Sequence, residues 1–253
     1  ARARENGAEV YPNVAEAVTD TDAVVTMLPN GAIVESVYTG DIFANAPPSA
    51  LLLDCSTIDV ATAKRVGAAA EAAGFAMVDA PVSGGIAAAN GGTLTFMVGG
   101  SDEAFARAQP ILANMGKTVI HAGASGSGQA AKICNNMILG ANMIATCEAF
   151  ALADKLGLEA STFFDIASKA SGQSWTMTSY CPVPGVGPTT PADNGYHGGF
   201  ATALMLKDLR LAMAAAKDAG AQVPMGERAE ALYAEFADAG NGGLDFSAII
   251  KSL

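Results

Sequence analysis

The amino-acid sequence predicts an α/β domain built on a wound sheet, followed by an all-helical domain. Up to residue 123, compact apolar runs that end in proline or small polar residues alternate with helical segments, a pattern typical of a wound α/β sheet. A glycine-rich turn, GASGSG at 123–128, then leads into a long apolar helix, and every element beyond it has helical periodicity. We therefore place the domains at residues 1–124 and 125–253.

Composition and charge exclude several classes of protein. Of the 253 residues, 51% are hydrophobic and 15% are charged, which favours a large packed core, and the formal net charge is −11. An acidic chain without a basic run argues against nucleic-acid binding and against contact with an anionic membrane. We find no signal peptide and no apolar run of about 20 residues, because Asn142 interrupts the most apolar stretch.

The cysteines and histidines indicate neither a metal site nor a disulfide framework. The four cysteines are scattered without a C-x-x-C pair, and His121 and His197 lack the spacing of metal ligands. We therefore expect no metal and a reducing compartment, the cytoplasm or, in a eukaryote, the mitochondrial matrix.

Apolar runs and caps define the elements of the first half. The predicted strands are 22–29, 51–57, 75–85, 93–100 and 117–123. The first three have the continuous apolar character of parallel strands buried on both faces, whereas 93–100 alternates like an edge or antiparallel strand. The predicted helices are 14–18, 33–38, 59–73 and 101–115. Asn13 and Ser101 are the expected N-caps of the first and last of these helices, and Pro110 is expected to kink the last.

The second half is predicted to be helical. The predicted helices are 128–157, 159–170, 200–219, 227–237 and 246–253. The first is apolar almost all round, which predicts a buried helix about 40 Å long. The Pro/Gly-rich segment 181–199 is unusually long for a loop in a compact domain, so we expect it to be functional or to wrap over a partner.

Small and polar residues follow three of the predicted strands. These are Leu28-Pro29-Asn30, Ser56-Thr57 and the segment ending in Ser83-Gly84-Gly85. In a wound parallel sheet, ligands bind beyond the carboxyl ends of the strands, although each segment is equally explained as an ordinary turn. The last is the strongest candidate, because two glycines after a serine can present backbone N–H groups and a hydroxyl to a carboxylate.

Lys132 and Asn136 project from one face of the long helix, since residues four apart in a helix are neighbours. A lysine among apolar residues is costly unless it is paired or functional, and burial lowers a lysine pKa toward neutral pH, where it can act as an acid or base. The alternative, of equal weight from spacing alone, is a lysine that reaches solvent at the helix start. For Asn136 the alternative is a hydrogen bond between helices.

The remaining candidates are weaker from the residues alone. Lys207-Asp208 fits a solvated helix face, and Trp175, the single tryptophan, would ordinarily lie in a core. The glycines of the 123–128 turn follow a strand and open a helix, but their spacing is not that of a dinucleotide fingerprint.

Four stretches in this order resemble the β-hydroxyacid dehydrogenase family: DAPVSGG, GTLTFMVGG, GASGSGQAAKICNNM and LMLKDLRLA. The resemblance covers essentially the whole chain. Within the family, SGQSW and the YCPVPGVGPTTPADNGYHGGF that follows are similar to the proline-rich loop of the enzyme of valine catabolism. They are unlike what is expected in tartronate semialdehyde reductases.

The resemblance implies a Rossmann-type domain, a long interdomain helix and an all-α domain like that of 6-phosphogluconate dehydrogenase. The helical domain would also build the oligomer, a homodimer or homotetramer. The implied reaction is oxidation of a small 3-hydroxy acid, 3-hydroxyisobutyrate, to methylmalonate semialdehyde, with hydride passing to NAD; NADP is not excluded.

Residue roles are carried over by position in the matching stretches. Lys132 corresponds to the catalytic general acid/base, with Asn136 beside it, and Ser83, Gly84 and Gly85 correspond to the loop that binds the substrate carboxylate. The positions expected to contact the cofactor are Leu28, Pro29, Thr57, Lys207 and, as a weaker candidate, Asp208. Those expected at the substrate end are Trp175 and Phe200.

The sequence departs from the family at its start. The family opens with strand–GxGxxG–helix–strand and then a residue that selects NAD or NADP, and none of these is present. We expect about 30 residues, one βαβ unit, to be missing ahead of Ala1, and with them the loop that holds the pyrophosphate. Two alternatives stay open: a reductase of a related small semialdehyde such as tartronate semialdehyde, and a catalytically dead fragment that binds no nucleotide.

Overall fold

The computed structural model describes residues 2–253. The chain divides into two compact units between Lys132 and Ile133. The first holds a sheet with helices and the second is helical, so the predicted fold class is confirmed. The domain boundary that we predicted between residues 124 and 125 stays a prediction, as does the missing βαβ unit.

The sheet of the first unit has six strands. They are β1 Ala23–Thr26, β2 Leu51–Asp54, β3 Ala76–Asp79, β4 Val82–Ser83, β5 Leu94–Gly99 and β6 Gly116–Gly123. Strands β1, β2 and β3 are parallel neighbours in that order. Strand β5 runs antiparallel to β3 and β4 and parallel to β6. The antiparallel direction predicted for 93–100 is therefore confirmed, but β5 lies inside the sheet and not at its edge.

Helices cover the sheet and connect its strands. Those of the first unit are α1 Arg2–Glu5, α2 Val14–Val18, α3 Gly31–Val37, α4 Phe43–Asn45, α5 Val60–Ala72, α6 Gly85–Asn90 and α7 Asp102–Leu112. A π-helical turn at Tyr38–Ile42 joins α3 to α4. The predicted caps are present: the side chain of Asn13 accepts from the Glu16 N–H, and that of Ser101 accepts from the Ala104 N–H.

Two predictions for this unit were wrong in detail. The helix predicted at 33–38 begins at Gly31, because the side chain of Asn30 caps it. The strand predicted at 75–85 is interrupted at Ala80-Pro81, and β3 and β4, which run in the same direction, both pair antiparallel with β5. A helix, α6, follows where we expected only a turn. Pro110 lies in the last turn of α7, where the missing N–H removes one hydrogen bond near the helix end; the predicted kink stays a prediction.

Strand β2 separates two hydrophobic cores. All four of its residues are buried. Leu52 packs in one core with Val34, Tyr38 and α5, while Leu51 and Leu53 pack in the other with β5 and α7. Since successive side chains of a strand point to opposite faces, a strand apolar at every position needs cover on both sides.

The second unit is built on the long helix α8, Ser127–Lys155, which starts in the first unit and continues into the second. The helices that follow are α9 Ala160–Ala167, α10 Trp175–Thr178, α11 Thr202–Ala219 and α12 Pro224–Phe236. A π-helical turn at Ala237–Asn241 and 3₁₀ turns at Pro191–Asn194 and Phe246–Ser252 complete it. The predicted C-terminal helix is therefore a 3₁₀ segment, and α10 was not predicted.

Helix α8 is less completely buried than its composition predicts. Met143 and Cys147 are fully buried, but Ile138 and Leu152 are more than half exposed. We expected no membrane-spanning run. By length and composition alone, however, α8 could cross a membrane; the core helix of a soluble protein satisfies the same criteria.

The start of α8 is fixed by one buried carboxylate at the end of β3. Asp79 is 3% exposed, and its two oxygens accept the N–H groups of Gly126, at 2.7 Å, and Gln129, at 3.0 Å. These are backbone donors that a helix start cannot pair internally. Burial raises the pKa of Asp79, and the two backbone hydrogen bonds oppose that rise.

Glycine is required where the helix start meets the sheet. A Cβ on Gly128 would lie 2.7 Å from the carbonyl oxygen of Asp79, and one on Gly99 would lie 2.9 Å from the carbonyl oxygen of Ala124. Backbone atoms cannot move aside as a flexible side chain can, so these two glycines allow α8 to approach the strand ends closely.

We predict that Gly128→Ala destabilises the chain by about 2 kcal/mol through overpacking, lowering the Tm by roughly 4–8 °C. Gly40→Ala is the matched control, because a Cβ on Gly40 would meet nothing within 4 Å. Thermal unfolding followed by circular dichroism measures both variants. An equal Tm for the two would contradict the close approach described above.

Candidate functional site

The loops after β1 and β2 are joined at the carboxyl edge of the sheet. The Leu28 N–H donates to Ser56 Oγ at 2.8 Å, and Ser56 Oγ donates to Asp54 Oδ1 at 2.5 Å. Leu28 and Thr57 are half-buried, whereas Pro29 is exposed. The three residues predicted to line the cofactor therefore lie in two loops that one serine holds together.

Asp54, the last residue of β2, stabilises the contact between these two loops. It is 1% exposed and also accepts a hydrogen bond from Thr26 Oγ1 at 2.8 Å, while Thr26 Oγ1 and the Tyr38 hydroxyl lie 2.8 Å apart. Burial raises the pKa of Asp54, and its hydrogen bonds from Ser56 and Thr26 oppose the rise. Burial, with the charge of Asp54 second, raises the pKa of Tyr38, so its hydroxyl stays protonated.

Gln129 connects the first turn of α8 to the loop after β2. Its side chain is fully buried. The Nε2 group donates to the Ser56 carbonyl at 2.7 Å, and Oε1 accepts the Ile58 N–H at 3.1 Å. The loop that holds Thr57 is thus bonded on both sides to the helix that carries Lys132.

The Ser83-Gly84-Gly85 segment forms the turn from β4 into α6. Ser83 lies opposite Thr95 of β5. Gly84 and Gly85 have φ angles of +124° and +65° and are exposed, and a Cβ on Gly84 would collide with Ala88. This backbone conformation requires glycine, as expected of a turn that presents backbone groups to an anion.

Lys132 and Asn136 lie one turn apart on α8, and both are buried. In the second unit, Asn136 Nδ2 donates to Asp208 Oδ2 at 2.6 Å, and Asn136 Oδ1 accepts from Asn135 Nδ2 at 2.9 Å. These partners fix which way the amide of Asn136 faces. The hydrogen bond joins α8 to α11, which is the structural alternative that we considered for Asn136.

Asp208 has a larger part in the site than the sequence indicated. It is 3% exposed and pairs with the neighbouring Lys207 at 3.6 Å. Its carboxylate thus contacts both Asn136 and Lys207, two predicted site residues. The pattern Lys207-Asp208 is not a solvated helix face, because only the lysine side chain, 33% exposed, reaches solvent.

Trp175 and Phe200, predicted at the substrate end, belong to one aromatic cluster in the second unit. Trp175 is 50% exposed, so the expectation that a lone tryptophan lies in a core is wrong here. Its indole stacks on the ring of Tyr180, and Tyr180 and Phe200 both contact Phe246. The predicted pair is therefore linked through two aromatic residues that the sequence did not single out.

Sequence reasoning missed the buried polar residues that hold the site. The clearest of these are Asp54, Asp79, Gln129 and Asp245. A signal for two of them was present: LLLD and AMVD are apolar runs that each end in an aspartate, and a carboxylate at a buried strand end needs local donors. For Gln129 and Asp245 no sequence pattern named the distant partners: Gln129 bonds Ile58 and Ser56, 71 and 73 positions away, and Asp245 bonds Phe200, 45 positions away.

The first unit fits a nicotinamide cofactor at the carboxyl ends of β1 and β2, where doubly wound sheets bind dinucleotides. Leu28, Pro29 and Thr57 would contact it, offering apolar surface beside one hydroxyl. Among residues 2–253, no group of three or more His, Cys, Asp and Glu side chains is placed to hold a metal ion.

Two family models match nearly the whole chain. Residues 1–123 match the NAD binding domain of 6-phosphogluconate dehydrogenase. Residues 126–253 match a model described as NAD-binding of NADP-dependent 3-hydroxyisobutyrate dehydrogenase.

Individual relatives indicate the same family as these models. The chain is 49% identical to the probable 3-hydroxyisobutyrate dehydrogenase of Mycobacterium tuberculosis, over 99% of this chain and 85% of the relative. It is 44% identical to the NAD-dependent L-serine dehydrogenase of Pseudomonas aeruginosa, over 97% and 83%. A solved structure of the Mycobacterium tuberculosis 3-hydroxyisobutyrate dehydrogenase with L-serine matches with a TM-score of 0.94 at 49% identity, over 99% of this chain and 85% of that one. The chain therefore belongs to the 3-hydroxyisobutyrate dehydrogenase family of NAD(P)-dependent oxidoreductases.

Proposed function

We propose that the chain oxidises 3-hydroxyisobutyrate to methylmalonate semialdehyde, with Lys132 as the general acid/base. The observation that carries this proposal is a buried lysine on α8, four residues from Asn136, in a helix whose first turn is anchored by Asp79 and Gln129. A proton-transfer group works best when its position is held rigidly, and this anchoring supplies that rigidity.

The substrate carboxylate binds at Ser83-Gly84-Gly85 in this proposal. The two glycines adopt positive φ angles in an exposed turn, and consecutive backbone N–H groups in such a turn can form an anion-binding nest. The Ser83 hydroxyl adds one more donor. Binding by backbone groups orients the carboxylate without adding a charged side chain.

The hydroxyl of the substrate donates its proton to Lys132 Nζ, which acts in the neutral form, as the carbinol carbon is oxidised. In the reverse direction the ammonium of Lys132 returns the proton to the developing alkoxide. Asn136, fixed by Asp208, is placed to orient the substrate hydroxyl or the lysine. NAD or NADP, when bound, supplies the hydride acceptor.

A second substrate, L-serine, is favoured by a specific finding. One relative is named an L-serine dehydrogenase, and one matching solved structure is described with L-serine. L-Serine and 3-hydroxyisobutyrate share the 3-hydroxypropanoate skeleton, and they differ only in an ammonium or a methyl group on C2. The groups assigned here to the carboxylate and hydroxyl would serve both.

We predict that Lys132→Ala lowers kcat about 10²–10⁴-fold, the usual contribution of a positioned acid or base, while the fold is retained. Lys155→Ala, at the exposed end of the same helix, should keep native turnover. Initial rates of NAD(P)H formation measure the effect, with circular dichroism as the check on folding. Native-like turnover by Lys132→Ala would rule out the assigned role.

We predict a kcat/KM at least about tenfold higher for 3-hydroxyisobutyrate than for L-serine, because a site that accepts the C2 methyl would leave the serine ammonium desolvated and unpaired. Steady-state rates with both compounds, and with both NAD and NADP, test this. A higher value for L-serine would make it the substrate. No turnover of either compound would support the alternative of a catalytically dead fragment, and turnover of tartronate semialdehyde alone would support the reductase.

A further inference from the structure

Asp245, a buried carboxylate of the second unit, lies behind the aromatic residues assigned to the substrate end. It is fully buried and accepts four hydrogen bonds. On Oδ2 it accepts the Tyr180 hydroxyl at 2.9 Å and the Phe200 N–H at 2.8 Å. On Oδ1 it accepts the Ser247 N–H at 3.0 Å and the Ser247 hydroxyl at 2.6 Å.

The four donors suit a carboxylate and no neutral isostere. An asparagine has one acceptor oxygen and would turn an NH₂ group toward two of the donors. Hydrogen bonds to an ionised acceptor are also about twice as strong as neutral ones. Burial, with the charge of Asp245 second, raises the pKa of Tyr180, so its hydroxyl remains protonated and donates to Asp245.

Each bond on Oδ2 leads directly to an aromatic group of the substrate end. Tyr180 lies beneath Trp175, with ring centroids 4.8 Å apart and planes inclined by 21°. The other bond holds the backbone of Phe200, whose ring contacts Phe246 edge-on at 5.9 Å. Asp245 therefore holds both Trp175, through one stacked ring, and Phe200, through its own N–H.

Close backbone approach reinforces this arrangement. Gly199, with φ of +69°, precedes Phe200, and a Cβ there would lie 2.5 Å from the Tyr180 hydroxyl and 2.6 Å from Pro191. The end of the proline-rich loop can reach Asp245 only because residue 199 has no side chain. The position of Phe200 is thus set by the buried carboxylate and not by the loop alone.

We propose that Asp245 is a positioning residue which, through Tyr180 and the Phe200 N–H, sets the aromatic wall of Trp175 and Phe200 and thereby the affinity for the 3-hydroxy acid. The inference rests on the proposed function, since that assigns Trp175 and Phe200 to the substrate end. Asp245 touches neither substrate nor cofactor in this proposal. It acts on KM and leaves the proton transfer at Lys132 unchanged.

Tyr180→Phe is the sharpest test, because it removes the hydrogen bond to Asp245 and keeps the ring beneath Trp175. We expect KM for 3-hydroxyisobutyrate to rise about three- to tenfold, part of the value of one hydrogen bond to a charged group, with kcat within about twofold. The chain has a single tryptophan, so its emission reports on Trp175 alone. We expect this emission to shift to the red in the unliganded variant.

Tyr196→Phe is the matched control. Its hydroxyl is also buried and donates to the Pro182 carbonyl at 2.9 Å, within the same proline-rich loop. The substitution keeps the backbone bond from the Asp245 N–H to the Tyr196 carbonyl and leaves the hydrogen bonds of the Asp245 carboxylate in place. It should leave KM and the emission as in the native chain. A purely structural role for these tyrosines would move both variants alike.

The outcomes separate the two proposals. An unshifted emission or an unchanged KM in Tyr180→Phe overturns the role of Asp245, as does an equal effect of Tyr196→Phe. If the native chain turns over neither 3-hydroxyisobutyrate nor L-serine, the proposed function fails. The emission then decides the positioning role alone: a red shift confined to Tyr180→Phe supports it, and no shift overturns it.

Discussion

The two hydrogen bonds from the start of α8 to Asp79 are the interaction on which the rest of the structure depends. They fix the first turn of α8 against the end of β3. A helix start offers several unpaired N–H groups and a partial positive charge, so a carboxylate is its natural partner. Because the fixed end lies only about one turn before Lys132, the direction of that side chain follows from the anchor.

Buried carboxylates with several donor groups as partners occur at three further places in the described chain. Asp54 joins the loops after β1 and β2, Asp208 orients Asn136 and Lys207, and Asp245 holds Tyr180 and Phe200. Burial makes an unpartnered carboxylate costly, so each one fixes the geometry of its donors. The groups assigned to chemistry are in this way supported by residues that take no direct part in it.

Much of the fold was predictable because its signals are local. The apolar run 51–54 and the cap Asn13 identify their elements without knowledge of the rest, and Lys132 and Asn136 share a face by helix geometry alone. The supporting contacts were not predictable, because they join residues far apart in the sequence. Gln129 bonds Ser56, 73 positions away, and Asp245 bonds Phe200, 45 positions away. The assignment of the substrate likewise rests on similarity to relatives, since a single sequence does not show which group on C2 the site accepts.

The most direct test of this account is the kcat of Asp79→Asn, measured where circular dichroism shows a native fold. An asparagine offers one acceptor to two N–H donors, so α8 loses one of its anchors and Lys132 its fixed position. We predict that kcat for 3-hydroxyisobutyrate falls about tenfold or more, as expected when a reacting group is misplaced, while the Kd of the nicotinamide cofactor changes little. A folded variant with native kcat would contradict the central role of Asp79.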